Sequence, residues 1–103
     1  MVRHYDWPLW MELCVLAIRD PAAAAERDRL DRRWRAGLRA VIRDGQAAGE
    51  FEGDDPEAAM FVLAALLDGM APLLAMRAKG VTRDRVERTW FAEASRLLGT
   101  ELG

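Results

Sequence analysis

The stretch Asp55-Pro56-Glu57-Ala58-Ala59-Met60-Phe61-Val62-Leu63-Ala64-Ala65-Leu66-Leu67-Asp68-Gly69-Met70 decides the fold class. It opens like a helix. Asp55 can cap the first turn, and Pro56 fits a position whose N–H has no intrahelical partner anyway. Asp54, Asp55 and Glu57 complement the positive end of the helix dipole. From Ala58 to Leu67 there is no charge, no glycine and no strand-like alternation. The spacing predicts a helix over about 55–78, with Arg77 and Lys79 at its carboxyl end and Gly80 as its stop. Gly69 and Pro72 within it predict a bend.

The neighbouring segments read the same way. Asp20-Pro21 starts a second helix running to about Ala48, roughly 40 Å at 1.5 Å per residue. Leu30, Trp34, Leu38, Val41 and Ile42 form its apolar stripe, and Gly49 is a natural stop. Thr82 caps a fourth helix with the stripe Val86, Trp90, Ala94, Leu97 and Leu98, ending near Gly99. The first helix spans about Trp7 to Arg19, with Asp6 as cap and Pro8 in its first turn. Trp10, Met11, Leu13, Cys14, Val15, Leu16 and Ile18 make it apolar all round, so it needs cover on more than one side. The fold class is therefore all-α. Four helices of antiparallel type form one domain over residues 1–103.

Composition narrows the function. The chain has 103 residues, 51% hydrophobic and 31% charged, with net charge −2. That balance suits a globular protein and argues against a general binder of nucleic acid or anionic membrane. One Cys and one His allow neither an intrachain disulfide nor a four-ligand zinc site. The uncharged run 58–67 falls short of the roughly 20 residues of a membrane span. A faint secretory look at the N-terminus is interrupted by Asp6, Pro8 and Glu12. The chain reads as cytoplasmic, without a membrane contact.

Catalysis finds few groups. His4 lies in a terminal segment and Cys14 in the most apolar helix, where a thiol packs as a core or pocket-lining residue. No general acid–base set remains, so no catalytic residue and no cofactor are assigned. The acidic loop Glu50, Glu52, Asp54, Asp55 and Glu57 lacks the alternating ligand spacing of a calcium loop, and no metal is expected. The arginine-rich face of the second helix, from Arg27 to Arg43, reads as a solvated face with i,i+4 pairs Asp28–Arg32 and Asp31–Arg35. Direct phosphate binding is the sharper alternative, but no recognition-helix pattern accompanies it.

Asp68 is the informative residue. A lone carboxylate in such an apolar run is costly to bury. It needs either a partner from the same core, such as an Arg or a Trp N–H, or a role as polar anchor in an apolar pocket. Four Trp and five Met in so short a chain also suit a pocket that repacks around an apolar guest, although ordinary core packing is the plain reading.

Several segments together resemble a known family. They are Asp6-Trp7-Pro8-Leu9-Trp10, Arg19-Asp20-Pro21, Trp34-Arg35, Ile42-Arg43-Asp44-Gly45-Gln46-Ala47-Ala48-Gly49-Glu50-Phe51, Asp55-Pro56-Glu57-Ala58-Ala59 and Ala64-Ala65-Leu66-Leu67-Asp68-Gly69-Met70. The pattern resembles the C-terminal, effector-binding half of TetR-type transcriptional regulators, from about Trp7 to Leu98. The resemblance implies an effector site near Trp10, Met11, Cys14, Trp34, Leu38, Met60, Phe61, Ala64 and Asp68, taking an apolar small molecule. It implies a homodimer in which the last two helices pair as a four-helix bundle, through Gly69, Leu73, Leu74, Trp90, Phe91, Ala94 and Leu97. It implies that DNA is read by a helix-turn-helix not expected in this chain, since only six residues precede Trp7. The alternative is a stand-alone helical module that dimerises without a ligand.

Overall fold

The computed structural model describes residues 7–101. It contains four helices: α1 (Trp7–Ala17), α2 (Pro21–Ala47), α3 (Pro56–Ala75) and α4 (Arg83–Leu98). No strand occurs among the described residues, so the all-α expectation holds. The caps follow local chemistry. The Asp20 carboxylate accepts from the Ala22 N–H at 2.9 Å and the Ala23 N–H at 3.3 Å. Asp55 accepts from Ala58 N–H and Thr82 from Arg85 N–H, each at 3.1 Å. Each of these side chains satisfies a first-turn donor that the helix leaves unpaired. Asp6, expected to cap α1, and His4 lie outside the described residues.

Two boundaries differ from expectation. α1 stops at Ala17, and Ile18 and Arg19 continue as a turn whose N–H groups reach back to Val15 and Leu16. α3 stops at Ala75 rather than near Ala78. Arg77 turns left-handed, with φ of 57°, and the Ala78 N–H closes back onto the Leu73 carbonyl at 2.9 Å. This is a Schellman-type ending with an arginine where glycine is usual.

α3 packs against all three other helices and supplies the centre of the core: Ala59, Met60, Leu63, Ala64, Leu67 and Ala71 are buried. Ile42 of α2 and Trp90, Ala94 and Leu98 of α4 complete the cluster. The Trp90 indole N–H donates to the Leu63 carbonyl at 3.0 Å, fixing the α3–α4 seam. On the opposite side, Arg39 of α2 holds Glu57 of α3, and its hydrogen bond keeps that carboxyl below the usual range.

The α2–α3 corner explains why glycines recur there. The Phe51 ring lies so close to Gly45 that a Cβ at Gly45 would overlap it. The Gly45 carbonyl accepts from the N–H groups of Glu50 at 2.8 Å and Phe51 at 3.1 Å, and Gly49 supplies the positive φ of 77° that this closure needs. The loop is then tied to α4, because the Glu52 N–H donates to the Leu98 carbonyl at 2.7 Å.

The molecule measures 43 × 32 × 18 Å. Its thinnest dimension is about two packed helices, so apolar faces remain open on both sides. α3 is long and apolar enough to cross a membrane by length and composition, with a mean hydropathy of 2.0, more apolar than its uncharged run suggests. About a third of that stretch is buried in the core, and apolar residues on its exposed face, Phe61, Val62 and Leu73 among them, supply much of the rest of that hydropathy.

Candidate functional site

A hollow of about 560 Å³ opens between α1, α2 and α3. α1 contributes Trp7, Leu9, Trp10 and Leu13 to its wall. α2 contributes Leu30, Asp31 and Trp34, and α3 contributes Asp68. The spacing is helical on both sides: Trp7, Trp10 and Leu13 recur every three residues, as do Asp31 and Trp34 beside Leu30. Three indoles therefore converge on one space that already has a carboxylate on two of its walls.

The charges form a small network. Arg35 Nε donates to Asp31 at 2.8 Å, and a terminal nitrogen of the same guanidinium reaches Asp68 at 3.3 Å. Asp31 and Arg35 are only 18% and 21% exposed, so this pair is not the solvated i,i+4 pair that the sequence suggests. Asp68 keeps 40% of its side chain exposed, at the hollow's edge. Burial raises its pKa, Asp31 raises it further, and Arg35 and Arg27 pull it back down. The core partner expected for Asp68 is thus Arg35, while Asp68 also lines the hollow. The other expected pair is replaced: Asp28 meets Arg27 at 2.7 Å rather than Arg32. Arg27 lies over the Trp10 ring, 5.7 Å from its centroid, and beside Cys14.

The residues singled out from sequence separate into groups. Trp10, Trp34 and Asp68 line the hollow. Met11 lies on the far flank of α1, in a shallower groove of about 490 Å³ with Val15, Ala75 and Met76. Leu38 lies in a third groove, of about 530 Å³, with Gly37, Val41 and Trp90; Trp34 reaches both this groove and the hollow. Met60 and Ala64 are buried in the core and do not line the hollow. Phe61 is 63% exposed on α3, with the Arg35 guanidinium 6.0 Å from its ring centroid. Sequence reading missed Trp7, Leu9, Leu13, Leu30 and Asp31 as wall residues. The spacing from Trp10 and Trp34 could have found them.

The residues assigned to self-pairing also divide. α3 carries an exposed stripe of Ala58, Val62, Ala65, Gly69 and Leu73, spaced by three or four and continued by Met76 at its C-cap. Gly69 and Leu73 belong to it; Leu74 is half-buried. Phe91 and Leu97 are partly buried against the core. Trp90 is 7% exposed and Ala94 is buried, both within the α3–α4 seam of one subunit, which leaves them little surface for a partner. Trp90 and Phe91 meet edge to face at 5.3 Å.

The family model described as the C-terminal domain of BetI-type transcriptional repressors matches residues 1–99. The chain belongs to that family. The resemblance to TetR-type regulators drawn from the sequence is thereby borne out, and the BetI-type domain is all-helical, as expected. Comparison with curated proteins gives no match, and neither does comparison with solved structures. In this BetI-type domain the hollow and the open α3 stripe lie on different flanks of the same core helix, so α3 connects a cavity to a free surface.

Proposed function

We propose that this BetI-type domain senses a small molecule in the α1–α2–α3 hollow and pairs with a second copy through the outer face of α3, with Phe91 and Leu97 of α4 at its border. The observation that carries the reading is the hollow itself, a space of about 560 Å³ walled by Trp7, Trp10 and Trp34. That volume lies in the range of small-molecule sites, about 300–1,000 Å³, and an apolar wall with few polar groups is their usual chemistry. The exposed stripe from Ala58 to Met76 supports self-pairing, because an apolar helix face of this length is seldom left to water. The domain acts by binding rather than by chemistry. A guest that contacts α1 and α2 differently in two arrangements shifts their balance, and α3 passes the difference to the paired copy. DNA is contacted through a helix-turn-helix outside these residues, in the cytoplasm.

Two measurements test this. The uncharged fluorophore N-phenyl-1-naphthylamine should bind saturably, and Trp34→Ala should weaken it by about tenfold, equivalent to losing roughly 1.4 kcal/mol of indole contact. Sedimentation should give a dimer that Val62→Glu converts to monomer. A dimer that binds no probe would favour a plain interaction module, and a monomer at all concentrations would sink the pairing.

A further inference from the structure

We propose that Arg27 is a latch on α1: its guanidinium, laid over the Trp10 ring and beside the Cys14 thiol, holds the α1 wall against α2, and its release admits a guest to the hollow. The latch stands on contacts of its own. Its consequence for entry rests on the hollow being the effector site.

The first support is how α1 is attached. The other packed helix pairs share directional polar bonds. Arg39 and Arg35 of α2 reach Glu57 and Asp68 of α3, and the Trp90 indole of α4 donates to the Leu63 carbonyl of α3 at 3.0 Å. Among the described residues, no ion pair joins α1 to another helix, and α1 buries no residue. Trp7, Trp10 and Cys14 are spaced by three and four, so they share one strip of α1. At one end of that strip Trp7 packs against the core cluster. Beyond the other end, the turn at Ile18–Asp20 runs directly into α2. Between the two, Arg27 reaches over from α2 to Trp10, 5.7 Å from the ring centroid. A cation over an indole is attracted by the ring quadrupole, but only modestly where water still reaches it. Arg27 keeps 33% of its side chain exposed, so the contact can bias α1 without locking it.

The second support is that a released Arg27 has somewhere to go. Its charge acts on Asp31 of its own helix and on Asp68 of α3, and Asp28 holds one of its terminal nitrogens at 2.7 Å. The guanidinium can therefore leave Trp10 and remain among acids. Trp10 lines the hollow and Arg27 does not, so the latch acts on the wall from outside the space. Because α1 supplies Trp7, Leu9, Trp10 and Leu13 to that wall, swinging α1 about the turn at Ile18–Asp20 opens the hollow.

The test reads the latch and the entry separately, in the full chain. Hydrogen exchange of Arg27→Gln should show the α1 amides exchanging about three- to fivefold faster, the loss of one partly exposed cation–ring contact, with α3 and α4 unchanged. Arg27→Lys, which keeps the charge, should stay within about twofold of the parent chain. Asp28→Asn should leave α1 unchanged, because an exposed pair between neighbours contributes little. In stopped-flow fluorescence, N-phenyl-1-naphthylamine should associate with and dissociate from Arg27→Gln faster by the same three- to fivefold factor, at nearly unchanged Kd, as a gate requires; a damaged site would change Kd instead. Circular dichroism checks that the variants are folded. Unchanged α1 exchange in Arg27→Gln, faster exchange in all four helices, or an equal loss in Asp28→Asn would overturn the latch. Unchanged probe rates beside faster α1 exchange would overturn the gating of entry. If the parent chain binds no probe, the effector site itself is wrong, and the exchange measurements alone decide the latch.

Discussion

α1 and α3 are the two apolar helices of this domain, and they meet different ends. α3 buries six residues and forms the centre of the core. α1 buries none, although Glu12 is its one charge. The difference lies in position rather than composition. α3 is covered on three sides by α1, α2 and α4, with one face left open. α1 sits at the edge, with the 560 Å³ hollow on one flank and a shallow groove on the other. Apolar character shows that a helix needs cover; it does not show whether the cover is protein, a guest or a second copy.

Substitutions can sharpen that contrast. The largest effect is expected from Leu63→Ala, which empties a site 1% exposed beneath the Trp90 indole. It should cost about 3 kcal/mol in chemical denaturation, whereas Leu13→Ala in α1 should cost less than about 1 kcal/mol, because its side chain faces an open space. Similar costs at both positions would break the distinction between a solid seam and an open corner. Gly45→Ala comes next. The added methyl overlaps the Phe51 ring and should cost about 1–3 kcal/mol as an overpacked contact. Pairing it with Phe51→Leu should recover part of the loss, and no recovery would mean that the ring contact is not the cause.

Smaller effects follow. Arg77→Gly relieves a left-handed φ of 57° at the end of α3 and should raise stability by about 0.5–1 kcal/mol, after the extra chain entropy of glycine is subtracted. Asp68→Asn should also stabilise, by less than about 1 kcal/mol at pH 7, since solvent screens a side chain this exposed. The direction follows from linkage. The folded protein raises the pKa of Asp68, so it binds that proton more readily than the unfolded chain does. Asp68 then lowers stability as pH rises through the ordinary carboxylate range, about 4, and on past the folded pKa. The advantage of Asp68→Asn should therefore be full at neutral pH and close as the pH falls through about 4, read as a difference in Tm. The groups facing this site are Arg35, Asp31 and Arg27 from α2, and none of the α1 wall residues is charged.

Much of the fold is legible in the chain because its signals are local. Asp20-Pro21, Asp55-Pro56 and Thr82 announce three helix starts, and Gly99 ends α4 with φ of 65°. The end of α3 is not legible, since nothing local marks Arg77 as the residue that turns left-handed. The site is legible only in part. Trp10, Trp34 and Asp68 stand out by chemical type. Asp31 does not, because an Asp four residues before an Arg looks like a surface pair until a second helix covers it. Met60 and Ala64 fall in the core because α4 packs over that side of α3, which depends on how distant segments meet. The same cause places Trp90 inside one subunit, where its N–H finds Leu63.

The contrast between a fixed α3–α4 seam and an adaptable α1 wall can be measured amide by amide. Hydrogen exchange of the full chain, with and without N-phenyl-1-naphthylamine, should show α1 opening far more readily than α3 and α4 when free, then gaining protection when the probe is bound, while the seam around Leu63 and Trp90 stays as it was. Uniform protection across all four helices in the free protein, or probe-induced protection confined to α4, would contradict a ligand site walled by α1.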